Sequence, residues 1–334
     1  MKKIIYIGNH LKSANPTTLN LLSELLMAKG FHVKIYSNQS SRIMRLMHMC
    51  WGVLSNLKAS YILIDTYSTV NFYYALVISQ LARCFSIPYV PILHGGNLPK
   101  RLQNNPKLSK FIFKNAYVNI APSSYLLEEF QRKGFQTRFI PNAIELKKYS
   151  FQNYVFQEPK LLWVRAFDAI YNPSMAVLVL ELLKSTYPNA TLCMVGADKD
   201  GSLKKVKEIA LKKGLINSIE FTGYLSKEAW IEKSKDFNIF INTTNIDNTP
   251  VSVLEAMALG LPVISTKVGG ISYLIDDNET GLLVEKKNVQ QMTSKIIELF
   301  KNEEKAIAIS KNARKLVESF DSGKVQQQWN EILK

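Results

Sequence analysis

The sequence predicts an α/β protein made of two doubly wound, Rossmann-like domains with parallel sheets. Three observations carry this. Short apolar runs of β character alternate with longer amphipathic segments from the N-terminus onward, the pattern of parallel strands joined by helices. The alternation restarts near residue 160, after a polar, proline-bounded stretch over residues 141–159. The chain has 334 residues, 47% of them hydrophobic, enough for two full cores.

The elements follow in order. Lys3–Ile7 is the first strand, and a polar loop over residues 8–16 follows it. Thr17 or Thr18 caps a helix through Ala28, and Gly30 ends it. Residues 31–36, 61–65, 89–93 and 117–121 read as further buried strands. In the second half, strands are expected at 161–164, 191–195, 219–222, 239–242 and 262–265, with helices at 173–185 and 204–213. A last helix over residues 325–333 lies outside this second repeat. The expected domains are 1–150 and 151–317, with the segment 318–334 packing back on the first. Ligands of such sheets sit at the carboxyl ends of the strands, so a cleft with the two domains facing across it is the expected site.

The net charge is +15, and its distribution is lopsided. Residues 1–150 hold 19 Lys and Arg against 5 Asp and Glu, whereas residues 151–334 hold 23 against 22. A basic first half suits anionic partners such as lipid headgroups or phosphorylated substrates; a merely soluble, high-pI protein is the plainer alternative. Cys50, Cys84 and Cys193 are widely spaced and form no disulfide framework, which fits a reducing cytoplasm. The N-terminus reads as a strand rather than a signal peptide, and no run of 18 apolar residues exists to span a membrane. Residues 42–58 are apolar with Arg42, Arg45 and Lys58 around them. They read equally as a helix lying on an anionic membrane and as a core helix.

The segment 242–270 carries the most chemistry. A strand ends at Asn242 and a polar loop follows. Thr249 suits an N-cap and Pro250 a first helical position, Gly260 closes the helix, and Gly269-Gly270 form a tight loop after the next strand. A helix N-terminus beside exposed loop amides is an anion site. Asp247 precedes this helix and Glu255 lies in its second turn, so two carboxylates bracket the place where a phosphate would sit. From the residues alone, a capped core helix beside a solvated acid is the competing reading.

This segment resembles the donor-binding signature of the retaining family-4 glycosyltransferases of the GT-B fold (glycosyl transferases group 1). That signature is a carboxylate, seven residues, then Glu-Ala-Met-Ala-x-Gly-x-Pro-Val-Ile. Here it reads Asp247, seven residues, then Glu255-Ala256-Met257-Ala258-Leu259-Gly260-Leu261-Pro262-Val263-Ile264. The family usually has Glu where this chain has the shorter Asp247. The resemblance covers roughly residues 85–330. It implies that Asp247, with Asn248 beside it, contacts hydroxyls of the donor sugar, and that Glu255 binds the ribose hydroxyls. It adds Thr249, Pro250 and Val251 to the donor site, Gly196 at a strand end, and the base-lining segment Gly223-Tyr224-Leu225. Ile140-Pro141-Asn142 resembles the turn before the second domain.

Arg165 ends the first strand of the second domain, where a cation stabilises the charge of a departing diphosphate. Relatives pair it with a Lys about five residues on; here Ala169, Ile170 and Tyr171 stand there, and Lys199 or Lys267 are the candidate substitutes. His94, in a His-Gly context at a strand end, matches a family histidine near the donor sugar. Gly8, Asn9 and His10 form the acceptor-side loop by a weaker likeness. Asp198-Lys199-Asp200 is a metal-binding triplet in another glycosyltransferase fold, but its place after a strand argues for a loop. The histidines have no ligand spacing, so no metal is expected.

The function expected is metal-independent transfer of a sugar from a nucleotide-sugar to a hydroxyl acceptor with retention, in cell-surface polysaccharide or lipopolysaccharide assembly. The expected partners are the donor, which is a substrate and not a cofactor, and a glycan or lipid-linked acceptor. Peripheral contact with an anionic membrane is expected too, and nucleic acid is not. A non-catalytic GT-B-like subunit and a sugar-nucleotide epimerase are the alternatives.

Overall fold

The structure, a computed structural model, describes residues 1–8, 17–36 and 38–334. The chain divides into two compact units, Met1–Ala143 with Phe320–Lys334, and Ile144–Ser319.

The first unit is a six-stranded parallel sheet. Its strands are β1 (Lys3–Ile7), β2 (His32–Tyr36), β3 (Tyr61–Thr66), β4 (Tyr89–Leu93), β5 (Asn119–Ala121) and β6 (Thr137–Phe139), in the order β2-β1-β3-β4-β5-β6. Chain order reverses between β1 and β3, so the switch point of this sheet lies at their carboxyl ends. Side chains alternate across the sheet. Ile5, Ile7, Ile62 and Ile64 join one core with helices α2 (Arg42–Leu54), α3 (Val70–Cys84), α5 (Pro106–Phe113) and α6 (Ser124–Arg132), and α4 (Leu98–Asn104) packs into the same core. Ile4, Tyr6, Leu63 and Val90 face the other way, onto α1 (Thr18–Ala28) and the returning C-terminal segment. Thr17 caps α1 through a reciprocal capping box with Asn20.

The second unit repeats the plan with β7 (Lys160–Val164), β8 (Thr191–Val195), β9 (Ile219–Gly223), β10 (Ile239–Asn242), β11 (Val263–Thr266) and β12 (Leu282–Val284), ordered β12-β11-β10-β7-β8-β9. Its switch point lies between β7 and β10. Pro262 stays just outside β11 because it has no N–H to give to a ladder; its carbonyl accepts from Phe240 N. Helices α7 (Pro173–Leu183), α8 (Ser202–Lys212), α9 (Lys227–Ser234), α10 (Val251–Leu259), α11 (Ile271–Leu274), α12 (Val289–Lys301) and α13 (Glu303–Val317) connect and cover the strands.

The last helix, α14 (Ser322–Ile332), belongs to the first unit: Val325, Trp329 and Ile332 are buried in its core, and Gln326 donates to the Leu25 carbonyl at 2.7 Å. The first unit gives way at Ala143 rather than at residue 150, because Ile144 and Tyr149 are buried in the second unit. Residues 42–58 are neither wholly core nor wholly surface. α2 buries Met49, Gly52 and Val53 and exposes Ile43, Met47 and Trp51. Among the described residues, no helix is long and apolar enough to cross a membrane.

Candidate functional site

The carboxyl ends of β7, β8 and β9 meet closely. Arg165 follows β7, and its N–H donates to the Val195 carbonyl at 3.0 Å. Gly196 follows β8 and donates to the Gly223 carbonyl at 2.8 Å. A Cβ on Gly196 would fall on the carbonyl of Arg165, so only glycine lets these strand ends approach. Gly223 itself needs a left-handed conformation, with φ at 70°.

The Arg165 guanidinium is held on two sides. It forms an ion pair with Asp247, both side chains being only 17% exposed, and it lies over the Tyr171 ring at 4.6 Å. Thus the structure brings two of the sequence-predicted residues together across the switch point. The turn that carries Tyr171 is sewn to the loop after β10: Asn245 N donates to Ile170 O at 2.7 Å, and Thr243 Oγ1 donates to Tyr171 O at 2.9 Å. Where relatives place a lysine, this chain therefore has a turn that braces Arg165 from beneath. Lys199 is committed elsewhere, to Asp168 at 2.9 Å; that hydrogen bond, the largest cause, raises its pKa. Lys267 is exposed at the end of β11.

Asp247 and Asn248 are backed by the loop after β11. Gly270 N donates to Asp247 O at 3.0 Å, and a Cβ on Gly269 or Gly270 would collide with the carbonyls of Asp247 and Asn248. Asn248 and Thr249 are buried. The helix that follows starts one residue later than its sequence suggests. Pro250 is the N-cap, with φ −68° and ψ 119°, and Val251 is the first helical residue, so Thr249 does not cap it. The extended ψ of Pro250 itself keeps this residue out of the helix and moves the start on. The Pro250 carbonyl accepts from Val253 N at 3.0 Å, and as N-cap Pro250 has no side-chain acceptor to offer α10. Its N-terminus keeps its positive end for something else.

Of the buried polar atoms without a hydrogen-bond partner among the described residues, three belong to the segments that build this site: Arg165 Nε, Asn245 Oδ1 and Ser252 Oγ. Buried polar atoms are almost always satisfied, so each of these three has bonding capacity that a polar ligand could meet. Neither Asn245 nor Ser252 stands out in the sequence.

Glu255 lies inside α10, where residues 253 to 259 are all buried. Its carboxylate is only 4% exposed and is fully engaged at one oxygen: Oε1 accepts the Tyr149 hydroxyl at 2.7 Å and pairs with Lys227 Nζ at 2.8 Å. Burial, and then the adjacent Glu255 charge, push the Tyr149 phenol far up. Lys227 opens α9 two residues after Leu225, so the segment expected to line the base is tied to Glu255 through one side chain. Tyr149 and Lys227 were invisible to motif reading, since neither lies near Glu255 in sequence.

His94 belongs to the first unit, after β4. Its Nε2 is 2.9 Å from Asp65 Oδ1, the same oxygen that accepts the Tyr6 hydroxyl at 3.0 Å. An ionised carboxylate only accepts, so Nε2 carries the proton of this bond. Tyr67 stacks on the imidazole with ring centroids 4.9 Å apart. The ring is thereby fixed in tautomer and orientation by a buried acid, Asp65, that reads in the sequence merely as a strand end. Gly8 ends β1 against this acid: a Cβ there would meet Asp65 and Leu19. Asn9 and His10 lie outside the described residues. Tyr6, His94 and Asn142 are among the residues lining a small cavity of about 30 Å³ in this unit.

The acidic triplet serves structure. Asp198 accepts from Gly201 N at 3.0 Å, and Asp200 accepts from Ala169 N at 2.8 Å and Ser202 N at 3.0 Å. Among the described residues no three His, Cys, Asp or Glu side chains gather as a metal cluster.

Comparison with known proteins gives the family and the fold. The profile described as "Glycosyl transferases group 1" matches residues 148–316. An uncharacterized glycosyltransferase of Methanocaldococcus jannaschii is 28% identical over 243 residues, covering 70% of this chain and 65% of that protein. The chain thus spans less than two thirds of that relative's length, and 43% of another curated relative. AmsK, an amylovoran biosynthesis glycosyltransferase of Erwinia amylovora, is 23% identical over 330 residues, covering 91% of this chain and 77% of AmsK. Among solved structures, Anabaena Alr3699/HepE in complex with UDP superposes with a TM-score of 0.77 at 18% identity, covering 100% of this chain and 99% of that one. The two-sheet arrangement is that of the GT-B fold.

Proposed function

Because the chain belongs to the group 1 glycosyl transferases of the GT-B fold, we propose that it moves a sugar from a nucleoside-diphosphate sugar to a hydroxyl acceptor with retention of configuration. The observation that carries this reading is the constellation at the second switch point: Arg165 paired with Asp247, which lies in the loop leading into the N-terminus of α10. A cation and a helix N-terminus each answer the charge of a departing diphosphate.

In this reading the anomeric C–O bond breaks and its electron pair leaves with the diphosphate, toward Arg165, Ser252 and the first N–H groups of α10. The acceptor oxygen forms the new bond, and its proton passes to the diphosphate oxygen that has just departed. Asp247 and Asn248 hold donor-sugar hydroxyls. Glu255 offers Oε2 to the ribose hydroxyls while Tyr149 and Lys227 hold Oε1. Gly196 and Gly223 let the backbone approach, and Tyr224 and Leu225 flank the base. His94, oriented by Asp65, is the catalytic residue that we assign to the first unit. The reading assigns no residue to a metal or a cofactor.

Cell-surface polysaccharide or lipopolysaccharide assembly at the cytoplasmic face of a membrane is the setting we propose, with a glycan or lipid-linked acceptor. AmsK's part in amylovoran biosynthesis and the basic first half support it. Thermal unfolding with a panel of nucleoside-diphosphate sugars, followed by product analysis, tests the reading. One donor should raise the midpoint and be turned over. Product without an acceptor would identify an epimerase, and neither binding nor turnover across the panel would leave a non-catalytic subunit.

A further inference from the structure

The helix layer over one face of the first sheet has an outer side that sugar transfer does not use. On α2, Leu46, Met49, Cys50 and Val53 face the core. The opposite face is open: Ile43 is 73% exposed, Met47 60% and Trp51 64%, with Met44 and Leu54 beside them. These positions recur at helical spacing, so they form one stripe. α3 packs alongside, its Tyr74 hydroxyl donating to the Arg42 carbonyl at 3.1 Å, and exposes Val70, Tyr73 and Val77. α5 follows, tied to α3 by Gln80 Nε2 donating to Phe111 O at 3.1 Å, and exposes the Phe111 ring. All three helices share the core beneath them, so their outer faces look the same way.

The charge on this layer has one sign. Arg42, Lys58, Arg83, Lys107, Lys110 and Lys114 are all exposed. There is no Asp or Glu from residue 25 to 64 or from residue 66 to 127. Two hollows of about 310 and 370 Å³ flank α5 and share Lys110 and Lys114.

We propose that the outer face of α2, α3 and α5 docks the protein on an anionic phospholipid bilayer. An apolar stripe with Trp and Tyr, framed by Lys and Arg stems, suits the headgroup boundary: the rings sink and the cations remain with the phosphates. A second copy of the chain would bring the same unbalanced positive charge and be repelled. An anionic surface satisfies both halves of the face at once. The inference goes beyond the transfer reaction and stands independently of the donor-site residues.

Co-sedimentation of the full chain with vesicles tests it, using phosphatidylglycerol and phosphatidylcholine in equal parts against phosphatidylcholine alone. Binding should require the anionic lipid and weaken as salt is raised. Trp51 emission should shift to the blue on binding; Trp163, Trp230 and Trp329 are already buried, so the shift reports Trp51. Lys110→Ala with Lys114→Ala should lower affinity on the order of tenfold or more. Met47→Ser with Trp51→Ser should abolish binding. Both double variants should keep the wild-type unfolding midpoint and donor binding, which separates this surface from the donor site. Absence of binding to anionic vesicles, equal binding to neutral ones, or binding undiminished in both variants would overturn the proposal. So would a concentration-dependent dimer in light scattering that the Trp51 variant disrupts.

Discussion

Tyr149 donates its hydroxyl to Glu255 Oε1 at 2.7 Å, although 106 positions separate the two residues. The bond ties the start of the second unit to the middle of its most buried helix and leaves the carboxylate little freedom. Glu255→Gln should keep the fold and lose most donor binding, because an amide cannot accept two ribose hydroxyls as a carboxylate does. Tyr149→Phe should cost roughly 1.5–3 kcal/mol of stability, the range for a hydrogen bond to a charged group, and weaken donor binding less than Glu255→Gln. Thermal unfolding and donor titration of the two variants check the ranking. Equal donor affinity in Glu255→Gln would remove this residue from the site.

Arg165→Ala should lower kcat by roughly 10²–10³-fold, the range for loss of a group that stabilises developing negative charge. Arg165→Lys should recover only part of this, since an ammonium does not reproduce the flat guanidinium held between Tyr171 and Asp247. Steady-state kinetics decide it: a change confined to KM would mean that Arg165 binds the donor without stabilising its departure.

Gly196→Ala should destabilise the protein by more than about 2 kcal/mol, because the added methyl meets the Arg165 carbonyl rather than a movable side chain. Gly134→Ala tests whether the loss is steric. Gly134 also has a positive φ, but nothing surrounds it, so only backbone strain is added. The gap between the two variants in denaturant unfolding measures the crowding at the strand ends.

Burial raises the pKa of Tyr6, Tyr67, Tyr149 and Tyr154 above the ordinary 10.0, and Asp65 or Glu255 adds to it in the first three. The fold thus holds these protons more tightly than the unfolded chain does. Their stabilisation is complete below pH 10 and is lost as pH rises, by about 1.4 kcal/mol per pH unit for each group. Unfolding free energy should therefore fall steeply above pH 10, and Tyr149→Phe should flatten that slope. An unchanged slope would show that Tyr149 ionises as freely in the fold as outside it.

Much of the fold was legible because parallel strands buried on both faces leave near-continuous apolar runs, as in Tyr61–Thr66 and Tyr89–Leu93. The donor segment was legible because helix, glycine stop and strand follow one another within a short stretch. What was hidden depends on distance in sequence. Tyr149, Lys227 and Asp65 act through partners 106, 28 and 29 positions away, and no local pattern announces such pairs. The start of α10 was misplaced by one residue because Pro250 is acceptable both as a cap and as a first helical residue. α2 was ambiguous because its apolar residues surround it on both faces, one buried and one open.

The return of α14 to the first sheet makes the order of synthesis matter. Trp329 fills a core whose other walls, Tyr6, Leu22 and Ile92, emerge from the ribosome long before it. Ile144–Ser319 must be translated in between, which takes roughly 10 to 35 s. Until then the nascent first unit exposes the apolar patch that α14 covers, while the second unit, continuous in the chain, has all it needs to fold. The unit begun first is thus the one finished last, and its unfinished face is where a chaperone would bind.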